Sequence, residues 1–147
     1  MLFVLEFLAT FSAALFAGAA LYINVVEHPA RMGLETRVAA MQWAPSYKRA
    51  TWLQAPLALV SLLCGIAAWL SGDGIGWLVA ALLVGAVVPF TFGVIMPTNH
   101  RLLAPGRDLS SAETRELLLR WGQLHAVRTA LSLAGTVLFL WLMLTPR

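Results

Sequence analysis

Hydrophobic residues dominate four long stretches of the chain, and polar residues separate these stretches. They run roughly over Leu2–Val26, Thr51–Leu70, Ile75–Met96 and Leu124–Leu144. A helix needs about 20 apolar residues to cross the hydrocarbon core of a bilayer, so each stretch predicts a membrane-spanning helix. The first stretch has no basic residue ahead of it, contains Glu6, and is too long for the apolar core of a signal peptide. We therefore predict that it is retained as a span.

Proline residues and one polar segment predict where these helices end. Pro29 disfavours a helical conformation at His28 and is expected to limit the first helix. The segment "LETRVAAMQWA" (34–44) has apolar residues on one helical face, which predicts a short helix after the first span. Pro89 predicts a kink in the third span, and Pro97 predicts its end.

The last third of the chain predicts one long helix. Ser110, followed by Glu113 three residues later, has the spacing of a capping box at a helix start. The helical pattern then continues from Ser111 to Leu144, amphipathic at first and apolar afterwards. The predicted fold class is all-α, an integral membrane four-helix bundle with a short helix after the first span and this long last helix. We expect a single domain over residues 1–147.

Composition and charge support a membrane protein and predict its orientation. The chain is 60% hydrophobic and 12% charged, whereas soluble domains carry about 25% charged residues. Segments 27–50 and 97–123 each contain four of the ten Lys and Arg residues, and Arg147 lies on the other side. The positive-inside rule places these long loops in the cytoplasm and both termini on the opposite side. We expect a multi-pass protein of a bacterial inner membrane. The sequence contains no stripe of basic residues interleaved with aromatic residues, so it does not indicate nucleic-acid binding.

The three histidines of the chain are predicted to lie on one side of the membrane. His28 follows the first span, His100 follows the third, and His125 begins the fourth. An ionisable side chain within a span normally faces the bundle interior, pairs with a partner and marks function. Arg128 follows Trp121 and His125 on one face of the fourth helix, and Glu27 at matching depth is its expected partner.

These residues and their neighbours form the candidate site. We predict catalytic roles for His28, His125, Glu27 and Arg128. We predict substrate-binding roles for Tyr22, Asn99, Trp121 and His100. Structural roles remain open for each of them: Arg128 at lipid headgroups, His100 in a solvated loop, and Trp121 as an interface anchor.

Three stretches of the chain resemble a known family. They are "GAALYINVVEHPARM" (18–32), "FTFGVIMPTNHRL" (90–102) and "WGQLHAVRTALSLAG" (121–135). Together they resemble the anthrone oxygenase-like family of small four-helix membrane proteins, in the right order over nearly the whole chain. The resemblance implies an oxygenase that converts anthrones to anthraquinones without an added organic cofactor. It implies roles for Tyr22, Glu27, His28, Asn99, Trp121, His125 and Arg128. Fold transfers across such a resemblance better than substrate does.

Three mechanisms remain open from the sequence. In the first, His125 or His28 removes a proton from an acidic aromatic compound, Arg128 and Asn99 stabilise the anion, and the anion reacts with dioxygen. In the second, His28, His125 and Glu27 hold a metal ion, iron or copper, or the two histidines hold a haem. In the third, the bundle binds a small lipophile without catalysis.

The expected partners follow from these mechanisms. They are the lipid bilayer, a lipophilic small-molecule substrate and dioxygen. A chain of this size is also compatible with a homo-oligomer, of a kind that the sequence does not specify.

Overall fold

Four long helices form the protein. The computed structural model describes residues 1–145. Arg147, which the predicted orientation places on the side opposite the long loops, lies outside this range. The helices are α1 (Leu2–Met32), α2 (Thr36–Leu70), α3 (Ile75–Leu102) and α4 (Ala112–Leu144). Each is long and apolar enough to cross a membrane. α1 and α3 each pack between α2 and α4, so short connections join antiparallel neighbours into an up-and-down bundle. The predicted all-α four-helix fold class is confirmed.

Two prolines that were expected to end helices lie inside them. α1 continues through a π-helical turn at Ile23–Glu27 into the α-helical segment His28–Met32. α3 has the same arrangement, a π-helical turn at Thr91–Ile95 followed by Met96–Leu102. Pro29 and Pro97 each stand at the first or second position of the segment that follows the turn. A proline needs no amide hydrogen there, so the predictions that these residues limit their helices were wrong.

α3 is interrupted near Pro89, as predicted. The helix pauses at Ala86, between the segments Ile75–Gly85 and Val87–Phe90. A proline ring clashes with the carbonyl group four residues earlier, which here belongs to Gly85. The interruption therefore falls one turn before the proline that causes it.

The starts of α2 and α4 refine the predicted boundaries. The segment predicted as a short helix is helical from Thr36 and runs without a break into the second span, giving one helix of 35 residues. The long last helix is confirmed, but its N-cap is Ser111 rather than Ser110. The Ser111 hydroxyl accepts a hydrogen bond of 3.2 Å from the Thr114 amide. Glu113 pairs with Arg101 at the end of α3 and with Arg107 in the loop, instead of completing a capping box.

Small residues allow the helices to approach each other in the half of the bundle that contains the N-terminus. A Cβ atom added at Gly135 of α4 would lie 2.6 Å from Val84 Cγ2 and 3.0 Å from the Ala80 carbonyl oxygen of α3. Such small-residue contacts are typical of helix packing within membranes. Gly18 on α1 is different, because a Cβ atom there would meet nothing within 4 Å.

This contrast predicts opposite effects of two matched substitutions. Gly135→Ala should lower the stability of the protein by about 1–3 kcal/mol, because the new methyl group overlaps the backbone of α3. Gly18→Ala should be neutral or stabilising by up to about 1 kcal/mol, because alanine favours a helix and has free space. Unfolding midpoints of the purified variants in one mild detergent measure the difference. Equal midpoints would contradict the close approach of α3 and α4.

Candidate functional site

Buried aromatic rings form the centre of the polar cluster. The cluster lies at the end of the bundle that carries the α1–α2 and α3–α4 connections, called the site end below. The Trp121 indole packs against both imidazoles, with ring centroids 5.3 Å from His28 and 4.9 Å from His125. Trp43 of α2 meets the same indole edge-on at 5.8 Å. All four rings are buried. The structure therefore brings together three of the predicted site residues, His28, Trp121 and His125.

Asn24 fixes the orientation of His125. Its side-chain oxygen accepts a 2.7 Å hydrogen bond from His125 Nδ1 and a 2.5 Å hydrogen bond from the Thr129 hydroxyl. Its amide nitrogen donates to the Gly122 carbonyl at 3.1 Å. Because an amide oxygen only accepts, His125 carries its proton on Nδ1 and has its lone pair on Nε2. The Asn24 side chain thus selects one tautomer of the most deeply buried histidine.

The sequence prediction did not include Asn24. The π-helical turn at Ile23–Glu27 contains this residue and accommodates one extra residue relative to a regular helix. A prediction that assumes a regular α-helix therefore does not give the direction of the Asn24 side chain. An amide within a predicted span was the available signal, since polar groups within spans normally have a partner inside the bundle.

Arg31 holds the other imidazole. Its guanidinium donates to His28 Nδ1 at 3.2 Å, and its central carbon lies 5.9 Å from the centre of the Trp121 ring. Arginine has no acceptor atom, so His28 Nδ1 must accept and its proton lies on Nε2. The Nε2 edge of the ring packs directly on the backbone of Gly122. A side chain at this position would clash with it, since a Cβ atom on Gly122 would lie 2.4 Å from His28 Nε2. His28 is thus held on both sides.

Glu27 belongs to a polar network between α1 and α2. It forms an ion pair with Arg31 and accepts hydrogen bonds from Ser46 and Gln42. Arg31 also donates to the Gln42 side chain. The sequence prediction treated Arg31 as a loop cation, because it placed the end of the first helix at Pro29. The structure buries Arg31 almost completely, at 3% exposure.

Arg128 has a different partner from the one predicted. Its guanidinium donates to the Gln54 side-chain oxygen at 3.0 Å and lies 5.4 Å from the centre of the Phe16 ring. The expected pairing with Glu27 is wrong, since Glu27 is held by Arg31. Within residues 1–145, the Nε atom of Arg128 and the side-chain nitrogen of Gln54 have no hydrogen-bond partner. The Arg128–Gln54 pair therefore has two hydrogen-bond donors that no other described residue engages.

The other predicted substrate-binding residues are not part of this cluster. Tyr22 is 57% exposed on the outer surface of α1, and His100 is exposed at the end of α3. Asn99 is fully buried, and neither of its amide atoms has a hydrogen-bond partner in the described part of the chain.

The predicted metal ligands do not form a coordination set. Among residues 1–145, no three His, Cys, Asp or Glu side chains come close enough to hold one metal ion. Glu27 is bound to Arg31, and the Nδ1 atoms of His28 and His125 are engaged by Arg31 and Asn24. The indole of Trp121 packs on both imidazoles, where a haem plane would need to lie. The residues therefore do not fit the predicted metal or haem site.

Two adjoining cavities reach the cluster. The smaller, of about 10 Å³, has room for one water molecule and is lined by residues that include Arg31, Trp121, His125 and Arg128. The larger, of about 100 Å³, lies between α2 and α3 and is mainly apolar. Tyr47, Thr51, Gln54 and Arg128 line both cavities. The two cavities therefore share one polar wall.

Known proteins share this sequence pattern. The family model described as anthrone oxygenase matches residues 43–138. The anthrone oxygenase ptaC of Pestalotiopsis fici is 32% identical over 117 residues, which cover 69% of this chain and 82% of that protein. An anthrone oxygenase of Claviceps purpurea is 26% identical over 141 residues, covering 86% of this chain and 81% of that protein. The anthrone oxygenase tpcL of Aspergillus fumigatus is 43% identical over 70 residues, only 44% of its length.

No solved structure matches the chain. The relatives are fungal, so the bacterial inner membrane and the orientation of the spans stay predictions. The matched range contains all of α3 and most of α2 and α4, together with Trp121, His125 and Arg128. By the extent of this match, the chain belongs to the anthrone oxygenase family.

Proposed function

We propose that the protein is a membrane oxygenase that oxidises a lipophilic, anthrone-type aromatic compound, with His125 as the general base. The observation that carries the proposal is the hydrogen bond from His125 to Asn24, which leaves a lone pair on Nε2 of a histidine that lines a cavity. The names of the related fungal proteins support the class of substrate. The bilayer and dioxygen are the further partners in this proposal.

The two histidines have different roles in this mechanism. Arg31 donates to Nδ1 of His28, so this ring has no free lone pair with which to accept a proton. His125 keeps one, because Asn24 engages only its Nδ1–H group. We therefore assign proton abstraction to His125, while His28 supports the Trp121 ring.

Proton removal generates the species that reacts with oxygen. His125 takes a proton from the methylene carbon of the anthrone, and the electron pair delocalises over the rings onto the carbonyl oxygen. A general base contributes about 10²–10⁴-fold to such a step. The guanidinium of Arg128 stabilises the resulting oxyanion, in a buried site where its charge is weakly screened.

The reaction with dioxygen needs no external reductant. The carbanion forms a carbon–oxygen bond with dioxygen, and the imidazolium of His125 returns a proton to the peroxide. Loss of the second methylene proton then breaks the oxygen–oxygen bond, which gives the quinone carbonyl and one water molecule. The carbon atom supplies all four electrons, so anthrone and dioxygen balance against anthraquinone and water.

A histidine pair tests the role of the base. His125→Ala should lower kcat for anthrone-dependent oxygen uptake by about 10²–10⁴-fold, the usual contribution of a general base. His100→Ala makes the same change at an exposed ring and should leave kcat within about twofold of the wild type, since surface changes seldom have large effects. Oxygen uptake and quinone absorbance of purified protein in nanodiscs provide the readout. The spontaneous rate with lipid alone is subtracted.

Each contrary outcome has a definite meaning. Equal activity of His125→Ala and the wild type would remove His125 from the reaction. Binding of an anthrone by the wild type without oxygen uptake would replace the oxygenase proposal with lipophile binding.

The Asn24 hydrogen bond makes a second prediction. Asn24→Ala removes the acceptor that selects the Nδ1–H tautomer, at a cost of about 1–3 kcal/mol for the unpaired buried donor. We expect a fall in kcat of about 10- to 100-fold with a small change in KM, because the base rather than the substrate is misplaced. Asn24→Asp keeps an acceptor oxygen at this position and should recover part of kcat. If both variants fall equally with a matching rise in KM, Asn24 contacts the substrate instead.

A further inference from the structure

α2 and α3 separate at the level of the candidate site. α2 packs along Ile75–Gly85 of α3 and largely parts from α3 beyond Ala86. The interruption near Pro89 and the π-helical turn at Thr91–Ile95 lie in this second half of α3. The larger cavity occupies the resulting groove, between Thr51–Ala58 of α2 and Val87–Met96 of α3.

The mouth of the groove opens on the outer surface of the bundle. Thr51, Ala55 and Phe92 line it and are exposed, with Phe92 at 67% exposure. These residues lie within the two helices that are apolar and long enough to cross a membrane. The opening therefore lies on the outer face of two helices that are apolar and long enough to span a membrane, the face that such helices turn towards lipid.

The inner end of the groove is polar and has two hydrogen-bond donors without a partner in the described residues. Arg128 and Gln54 form its floor together with the ring of Phe16. Arg128 Nε and the Gln54 side-chain nitrogen are buried without a hydrogen-bond partner in the described residues, and no carboxylate there pairs with Arg128. Burying such donors unpaired is unfavourable, so this end is complementary to an oxygen-bearing, preferably anionic, group.

We propose that the groove between α2 and α3 is a lateral entrance through which a flat aromatic molecule with an acidic oxygen enters from the bilayer. Its rings lie between the two helices, and its oxygen atoms lie against Arg128 and Gln54. The narrow space between the helices and the alanine at position 55 make the groove selective for planar molecules. The inference rests on the proposed function for the class of substrate, but it concerns binding and is tested without turnover.

The test measures the affinity of two quinones that undergo no oxidation. A dihydroxyanthraquinone and unsubstituted anthraquinone are titrated into the purified protein in phosphatidylcholine nanodiscs. Ala55→Leu narrows the mouth and should raise Kd for both probes by about tenfold. Ala130→Leu is the matched control, since Ala130 is exposed on α4 outside the groove and should leave both affinities unchanged. Arg128→Gln should raise Kd by about tenfold for the dihydroxy compound and by clearly less for the unsubstituted one, whose carbonyl oxygens accept hydrogen bonds but carry no charge.

The outcomes separate this inference from the oxygenase proposal. Equal affinities of the Ala55→Leu and Ala130→Leu variants would overturn the proposal that the groove is a lateral entrance. Failure of the wild type to bind either probe would overturn it as well. If the affinities follow the expected pattern but the protein consumes no oxygen with an anthrone, the proposed entrance is supported and the proposed oxygenase activity is rejected.

Discussion

The site depends on the hydrogen bonds of one side-chain amide, that of Asn24, within the first membrane-spanning helix. Asn24 lies in α1, where no water competes for its polar atoms, and an unpaired amide there is strongly unfavourable. Its side chain forms hydrogen bonds with Gly122, His125 and Thr129, all of them in α4. The bridge sets the register of α1 against α4. With this register, His28 packs against Gly122, and the Trp121 indole meets both imidazoles.

Charge in the site is arranged in two separate places. Arg31 is neutralised by Glu27 within a network that ties α1 to α2. Arg128 contacts the neutral Gln54 and the face of Phe16 and lies near the Tyr47 phenol, and no carboxylate within residues 1–145 forms an ion pair with it. A paired cation holds structure, whereas a buried cation without a counterion favours an anion that arrives from outside. The difference distinguishes the positioning arginine from the one that we place at the substrate.

The sequence predicted those features that depend on one helix alone. Four spans follow from the length of the apolar runs, and the shared face of Trp121, His125 and Arg128 follows from their spacing in α4. Contacts between helices were harder to predict. Glu27 and Arg128 both lie at the site end, as predicted. The level of a residue along the bundle does not determine the direction in which its side chain points around the helix axis, so the expected pairing was wrong. The π-helical turn changes that direction for Asn24, which was missed, and Arg31 was missed because Pro29 was misinterpreted as the end of the helix.

A π-helical turn contains one residue more than the α-helix around it, and this has a consequence for how the site arose. One residue corresponds to about 100° of rotation around the helix axis. The turn absorbs that rotation, so His28 and Arg31 keep the direction that a helix without the extra residue would give them. Deleting one residue from Ile23–Glu27 would restore a regular helix with His28 and Arg31 still facing Trp121, but it would redirect the side chains within the turn, among them Asn24. A single codon therefore separates a bundle with the Asn24 bridge to α4 from an equally apolar bundle without it.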